Sequence, residues 1–82
     1  SLARELGSRS ITVNVVAPGP VATNMTAALT EAQRDAITGS VPLGRMADPD
    51  EIAGVVSFLV GPDAAYITGA VIPVDGGLGM GH

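Results

Sequence analysis

The sequence predicts an α/β fold class: the C-terminal part of a doubly wound parallel sheet, incomplete in this chain. Three observations predict it. A β-branched run, ITVNVVA (11–17), stops at Pro18-Gly19. A capped, apolar helix over residues 49–60 leads into a second short strand, AVIPV (70–74), and strand, helix and strand in succession read as a parallel crossover. The third observation is composition. With 82 residues, 46% hydrophobic and only 15% charged, the chain is more apolar than a free-standing domain of its size needs. One crossover unit cannot cover both faces of its sheet, so the remainder is expected upstream.

The opening, SLARELG, places Leu2, Ala3 and Leu6 on one helical face, with Gly7 suited to a C-cap. So short a helix does not nucleate alone. It reads as the end of a helix that begins earlier, and residues 1–82 as the C-terminal segment of one domain. In the strand that follows, Asn14 interrupts the apolar run. A buried Asn must be hydrogen-bonded, so its side chain is expected to bond a neighbouring backbone.

Residues 19–47 show no strand pattern, and a connection that long is usually functional or disordered. Within it, Thr30 and Gln33 form a capping box, with Gly39 as the stop. SVPLGRM reads as an extended stretch with a turn. Asp48-Pro49-Asp50-Glu51 is the strongest helix start: Asp at N-cap, Pro at N1 and Glu at N3. This helix carries Ile52, Val55, Val56 and Leu59 on one stripe, and Ala53, Phe58 and Val60 widen it. A helix apolar on so much of its girth is expected to be covered on more than one side. It ends at Gly61-Pro62, PDAAYITG reads as a turn or 3₁₀ segment, and Pro73 marks the last strand as an edge strand.

Several function classes are excluded. The net charge is −4 and the four arginines are scattered, so no basic stripe serves nucleic acid. With no cysteine there are no disulfides or thiolate metal sites, which fits a reducing cytoplasm. No apolar run reaches membrane-spanning length and there is no signal-peptide pattern. A lone His82 makes no metal site. Gly76, Gly77, Gly79 and Gly81 follow the last strand with no helix after them, so they form a turn and a flexible tail rather than a phosphate loop. Asp75 is read as closing that turn.

Ligands of open parallel sheets bind beyond the carboxyl ends of the strands. Ala17-Pro18-Gly19 occupies that edge. Pro18 fixes φ, and Gly19 allows positive φ and close backbone approach. Pro20 stiffens the next step, so the first free backbone N–H groups belong to Val21 and Ala22, and Thr23 adds a hydroxyl. Such an edge can hold a flat amide. Local chemistry alone favours the plainer reading, a turn that leads the chain out of the sheet.

The ordered set SLARELGSRSITVNVVAPG, VATNM, VPLGRMADPDEIAGVVSFL and YITGAVIPVDGG resembles the C-terminal third of a short-chain dehydrogenase/reductase over essentially the whole chain. The resemblance is closest to the 3-oxoacyl-(acyl carrier protein) reductases of FabG type. It implies a Rossmann-like fold and an NADP(H)-dependent ketoreductase of fatty-acid synthesis, with NAD as the alternative cofactor. It further implies acyl carrier protein or CoA thioester substrates, a homotetramer and a cytoplasmic location. Under it, Pro18 and Gly19 contact the nicotinamide ring. Val21 holds the carboxamide through its backbone, Thr23 bonds the carboxamide or pyrophosphate, and Asn14 steadies the region behind the site. Residues 18–47 supply the cofactor edge and substrate lid, the mobile part running from about Asn24 to Arg45. Residues 48–82 supply the closing helix, edge strand and tail that help build the tetramer.

Two positions depart from the FabG pattern: Pro20, where a bulky residue is common, and Asn24, where Asp is common. Pro20 leaves nicotinamide binding intact and the substrate open. The family's catalytic Ser and Tyr-x-x-x-Lys are absent, because Tyr66 has no Lys four residues on. Tyr66 is expected to pack near the edge strand, no residue here is catalytic, and the segment alone is expected to be inactive. The alternatives are a segment of another short-chain dehydrogenase, acting on a sugar or small alcohol, or a non-catalytic packing and oligomerisation fragment.

Overall fold

The structure is a computed structural model and describes residues 1–80. Two strands, β1 (Val15–Pro18) and β2 (Val71–Val74), pair in parallel, with Val15 opposite Val71 and Pro18 opposite Val74. Helix α1 (Leu2–Gly7) precedes β1. Between the strands lie α2 (Asn24–Ala27), α3 (Glu31–Ser40) and α4 (Pro49–Val60). Short 3₁₀ turns follow α4 (Pro62–Ala64) and β2 (Leu78–Met80). The parallel α/β crossover is as the sequence predicts.

Strand β1 is shorter than the expected 11–17 and starts at Val15. Residues 11–14 have no strand opposite them, so their backbone is satisfied piecemeal. Val13 N–H donates to Thr68 Oγ1 at 3.0 Å and Val13 C=O accepts from Gly69 N–H at 2.7 Å. Asn14 bonds the neighbouring backbone as expected. Its Nδ2 donates to Ile67 C=O at 3.1 Å and its Oδ1 accepts from Ala70 N–H at 3.0 Å. The half-buried Asn14 amide thus takes the place of a ladder rung and sets where β2 begins. That displaces the expected strand start at Ala70 by one residue.

Local helix chemistry follows the sequence closely. Thr30 and Gln33 exchange the two hydrogen bonds of a capping box at 3.1 and 2.9 Å. Gly39 does not stop α3, which runs on to Ser40 and ends at Val41. Nor does Gly7 turn the chain after α1: the left-handed residue is Ser10, with φ of 59°. At α4, Asp48 Oδ1 accepts from Asp50 N–H at 3.0 Å, and Glu51 Oε1 accepts from Asp48 N–H at 2.9 Å. Glu51 also forms a bidentate ion pair with Arg45, at 2.6 Å (Nη1 to Oε1) and 2.8 Å (Nη2 to Oε2). Arg45 and the Asp48 N–H hold the Glu51 carboxyl at about 2, against an ordinary value of 4.5.

Helix α4 packs on β1 through one stripe only. Leu59 is buried, and Ile52 and Val55 are half-buried. Val56, Phe58 and Val60 stay exposed, so the expected cover on other sides is not supplied by the described residues. Among the described residues only Val41, Leu59 and Ala64 form a buried core. The radius of gyration, 15.7 Å, exceeds the roughly 12 Å of a compact chain of this length. Tyr66 is fully exposed and packs against nothing, contrary to the expectation. The turn after β2 closes through Asp75, whose carboxylate accepts from Gly77 N–H at 2.9 Å and Gly79 N–H at 3.1 Å. The expected turn continues into the 3₁₀ turn at Leu78–Met80. His82 and Gly81 lie outside the described residues.

Two outcomes follow for the full-length protein. Asn14→Ala removes both arms of the clasp and should lower stability by about 1–3 kcal/mol in urea unfolding, because half-buried backbone groups lose their partners. Glu51 has a depressed folded-state pKa, so its contribution is complete above pH 4.5 and is lost as pH falls towards 2. Glu51→Gln should flatten the stability–pH curve in that window and leave its shape above pH 5 unchanged, as followed by circular dichroism.

Candidate functional site

The carboxyl end of β1 carries the residues that the sequence singles out. Pro18 ends the strand, and the next amide, Gly19 N–H, donates to Val74 C=O at 3.0 Å. Gly19 does not use a positive φ. Its requirement is space, because a Cβ there would lie 2.7 Å from the Asp75 Cα. A backbone atom cannot yield as a side chain tip can. Gly19 is thus what lets the two strand ends approach.

Beyond Gly19 the chain meets the segment leading into α4. Ala47 N–H donates to Pro20 C=O at 2.9 Å, and Ala22 N–H donates to Ala47 C=O at 2.8 Å. These two bonds form a parallel bridge between Val21 and Ala47. In a parallel pairing one residue uses both its backbone groups on the partner's two flanking residues. Ala47 is that residue, so the N–H and C=O of Val21 point away from it. Neither has a hydrogen-bond partner among the described residues. The expected free N–H at Ala22 is therefore not free, whereas the one at Val21 is, and a carbonyl accompanies it. Pro18 and Pro20 have no N–H. Along residues 18–22, Val21 alone offers an uncommitted donor among the described residues.

Thr23 is the N-cap of α2, a helix that the sequence did not suggest. Its Oγ1 accepts from Thr26 N–H at 3.4 Å, while Thr23 N–H donates to Thr26 Oγ1 at 2.7 Å. The hydroxyl proton of Thr23 is donated to no described residue. The side chain can hold the cap as an acceptor and still donate outwards.

A cleft of about 380 Å³ adjoins this edge, lined by Pro20, Leu43, Ala47 and the Asp75–Gly77 turn, with Arg45 and Glu51 among its polar lining groups. The expected lid segment is fastened at its far end. Val41 is buried against Gly76, where a Cβ would come within 2.7 Å of Val41 Cγ1, and Leu43 N–H donates to Gly76 C=O at 3.1 Å. Helix α3 buries none of its residues. Among the described residues no group of acidic or histidine side chains could hold a metal. Among the described residues no helix is long and apolar enough to cross a membrane. Sequence reasoning missed the Val21 carbonyl, the Ala47 bridge and the Arg45–Glu51 pair. Only the last left a local signal, an arginine just ahead of a capping box with Glu at N3.

Residues 1–79 match the family model described as enoyl-(acyl carrier protein) reductase. The chain is 59% identical over 80 residues to the 3-oxoacyl-(acyl-carrier-protein) reductase FabG of Pseudomonas aeruginosa, covering 98% of this chain and 32% of that protein. It is 56% identical over 82 residues to the reductase MabA of Mycobacterium tuberculosis, covering 100% of this chain and 33% of MabA. To Escherichia coli FabG it is 55% identical over 80 residues, covering 98% of this chain and 33% of the relative. The chain thus spans about a third of the length of the curated relatives it matches. On a match that runs through nearly every described residue, the chain belongs to the enoyl-(acyl carrier protein) reductase family of short-chain dehydrogenases/reductases.

Proposed function

We propose that this chain forms the nicotinamide edge and substrate lid of an NADP(H)-dependent ketoreductase that reduces 3-oxoacyl thioesters in fatty-acid synthesis. The observation that carries the reading is the Val21 peptide, with its N–H and C=O both uncommitted. A carboxamide presents one acceptor oxygen and an NH₂ donor, and a peptide group offering one donor and one acceptor complements it. The cofactor, when bound, supplies the hydride. Val21 would hold the carboxamide through its backbone, its N–H as donor and its C=O as acceptor. Pro18 and Gly19 would border the nicotinamide ring, and the Thr23 hydroxyl, which keeps its proton free while capping α2, would donate to the carboxamide or the pyrophosphate. The edge is built from two prolines and a packed glycine, so little freedom is lost on docking.

The family description names an enoyl substrate and the relatives' names a 3-oxoacyl one. The proposal follows the relatives, whose identity of 55–59% extends along nearly the whole chain. The acyl group would arrive on acyl carrier protein or CoA. The lid would be residues 24–45, hinged near Thr23 and fastened at Val41–Leu43. The uncovered faces of α4 and β2, with Val60 and Val71 largely exposed, support a homotetramer in which these elements meet a second copy. The absence of cysteine suits a reducing cytoplasm.

The test is Thr23→Val against Thr23→Ser in the full-length enzyme. Valine loses the donor and the cap, and serine keeps both. Thr23→Val should lower kcat/KM for the cofactor between about 2-fold and 150-fold, the range from a neutral to a charged hydrogen-bond acceptor. The lost cap should cost a further 0.5–2 kcal/mol or so of stability. Thr23→Ser should stay near wild type. Unchanged cofactor kinetics in a folded Thr23→Val enzyme would contradict the assigned role.

A further inference from the structure

We propose that the Arg45–Glu51 ion pair is a positioning clamp that orients the Val21 peptide through Ala47; this deepens the function proposed above and rests on it. The contacts form one continuous path. Glu51 Oε1 accepts from Arg45 Nη1 at 2.6 Å and from Asp48 N–H at 2.9 Å. Arg45 Nη1 also donates to Met46 C=O at 3.2 Å. Residues 45–48 are thereby closed into a ring over the first turn of α4, and Ala47 sits within that ring. Both Ala47 backbone bonds leave the ring for Pro20 and Ala22, the residues on either side of Val21. Nothing else among the described residues hydrogen-bonds the Pro20–Ala22 backbone. The direction of the Val21 N–H and C=O therefore follows the position of Ala47, and the ion pair sets that position.

The pair's contribution to folding stability is small. Its side chains are 56% and 44% exposed, and exposed pairs contribute little to folding. Geometry accounts for the pair. A bidentate guanidinium–carboxylate contact fixes distance and orientation together, which a lysine ammonium cannot do. A small error in the placement of a bound ring is costly for hydride transfer, so a clamp at this point acts where precision matters.

The experiment uses the full-length enzyme with Arg45→Ala, Arg45→Lys, Glu51→Gln and Thr23→Val. Two dissociation constants are measured for each. One is for whichever of NADPH or NADH supports turnover. The other is for the matching fragment that lacks nicotinamide, ADP-ribose with or without its 2′-phosphate. Arg45→Ala and Glu51→Gln should weaken the whole dinucleotide about 2- to 12-fold, the size of one neutral hydrogen bond. They should leave the fragment unchanged, and Arg45→Lys should fall between wild type and Arg45→Ala. A merely structural role moves both ligands together. Equal losses for dinucleotide and fragment, or no loss for either, overturn the clamp. If Thr23→Val weakens the dinucleotide and the Arg45 variants do not, only the clamp falls. If none of the variants affects it, the nicotinamide-edge reading falls as well.

Discussion

The arrangement depends on one parallel bridge. Ala47 spends both of its backbone groups on Pro20 and Ala22, and so leaves the Val21 peptide facing outwards with donor and acceptor unused. Every neighbouring feature maintains that state. Pro18 and Pro20 remove competing donors. Gly19 lets β1 and β2 end close together, so its own amide is absorbed by Val74. An unpaired backbone group is costly when shielded from water, so this peptide is either solvated or held by a ligand. Under the proposed function, the ligand is the cofactor carboxamide.

Much of this was legible in the sequence wherever the determinant was local. The α4 start is written in four consecutive residues, Asp48 to Glu51, and the Thr30–Gln33 box in four more. Asn14 was legible because a polar side chain in an apolar strand has few ways to be satisfied. Thr23 was only half legible. Its hydroxyl could be identified as a donor, but α2 is a single turn in an aperiodic stretch, and its cap partner Thr26 gives no apolar rhythm. The fate of the Ala22 N–H was not legible at all, since its acceptor, Ala47, is distant in sequence and no residue type advertises a backbone bridge. Gly7 and Gly39 misled for a common reason: glycine permits a stop without requiring one.

The exposed apolar residues show a different kind of limit. The breadth of the apolar face on α4 could be read from its sequence, and an apolar face of that width calls for cover. The described residues do not supply that cover. Val56, Phe58 and Val60 on α4, Val71 on β2 and the fully exposed Tyr66 remain on the surface. Hydrophobic pattern shows that a face is buried in the working protein and is silent on which element buries it. The chain spans about a third of the length of each curated relative.

The central claim is that the Val21 peptide is free until the cofactor engages it. Residue-resolved amide hydrogen exchange on the full-length enzyme addresses it directly. Without cofactor, the amides of Ala22 and Ala47 should be protected and that of Val21 should exchange rapidly. Saturation with the dinucleotide should slow exchange at Val21, and the fragment lacking nicotinamide should not. A Val21 amide already protected in the free enzyme, or one indifferent to the intact dinucleotide, would contradict the account.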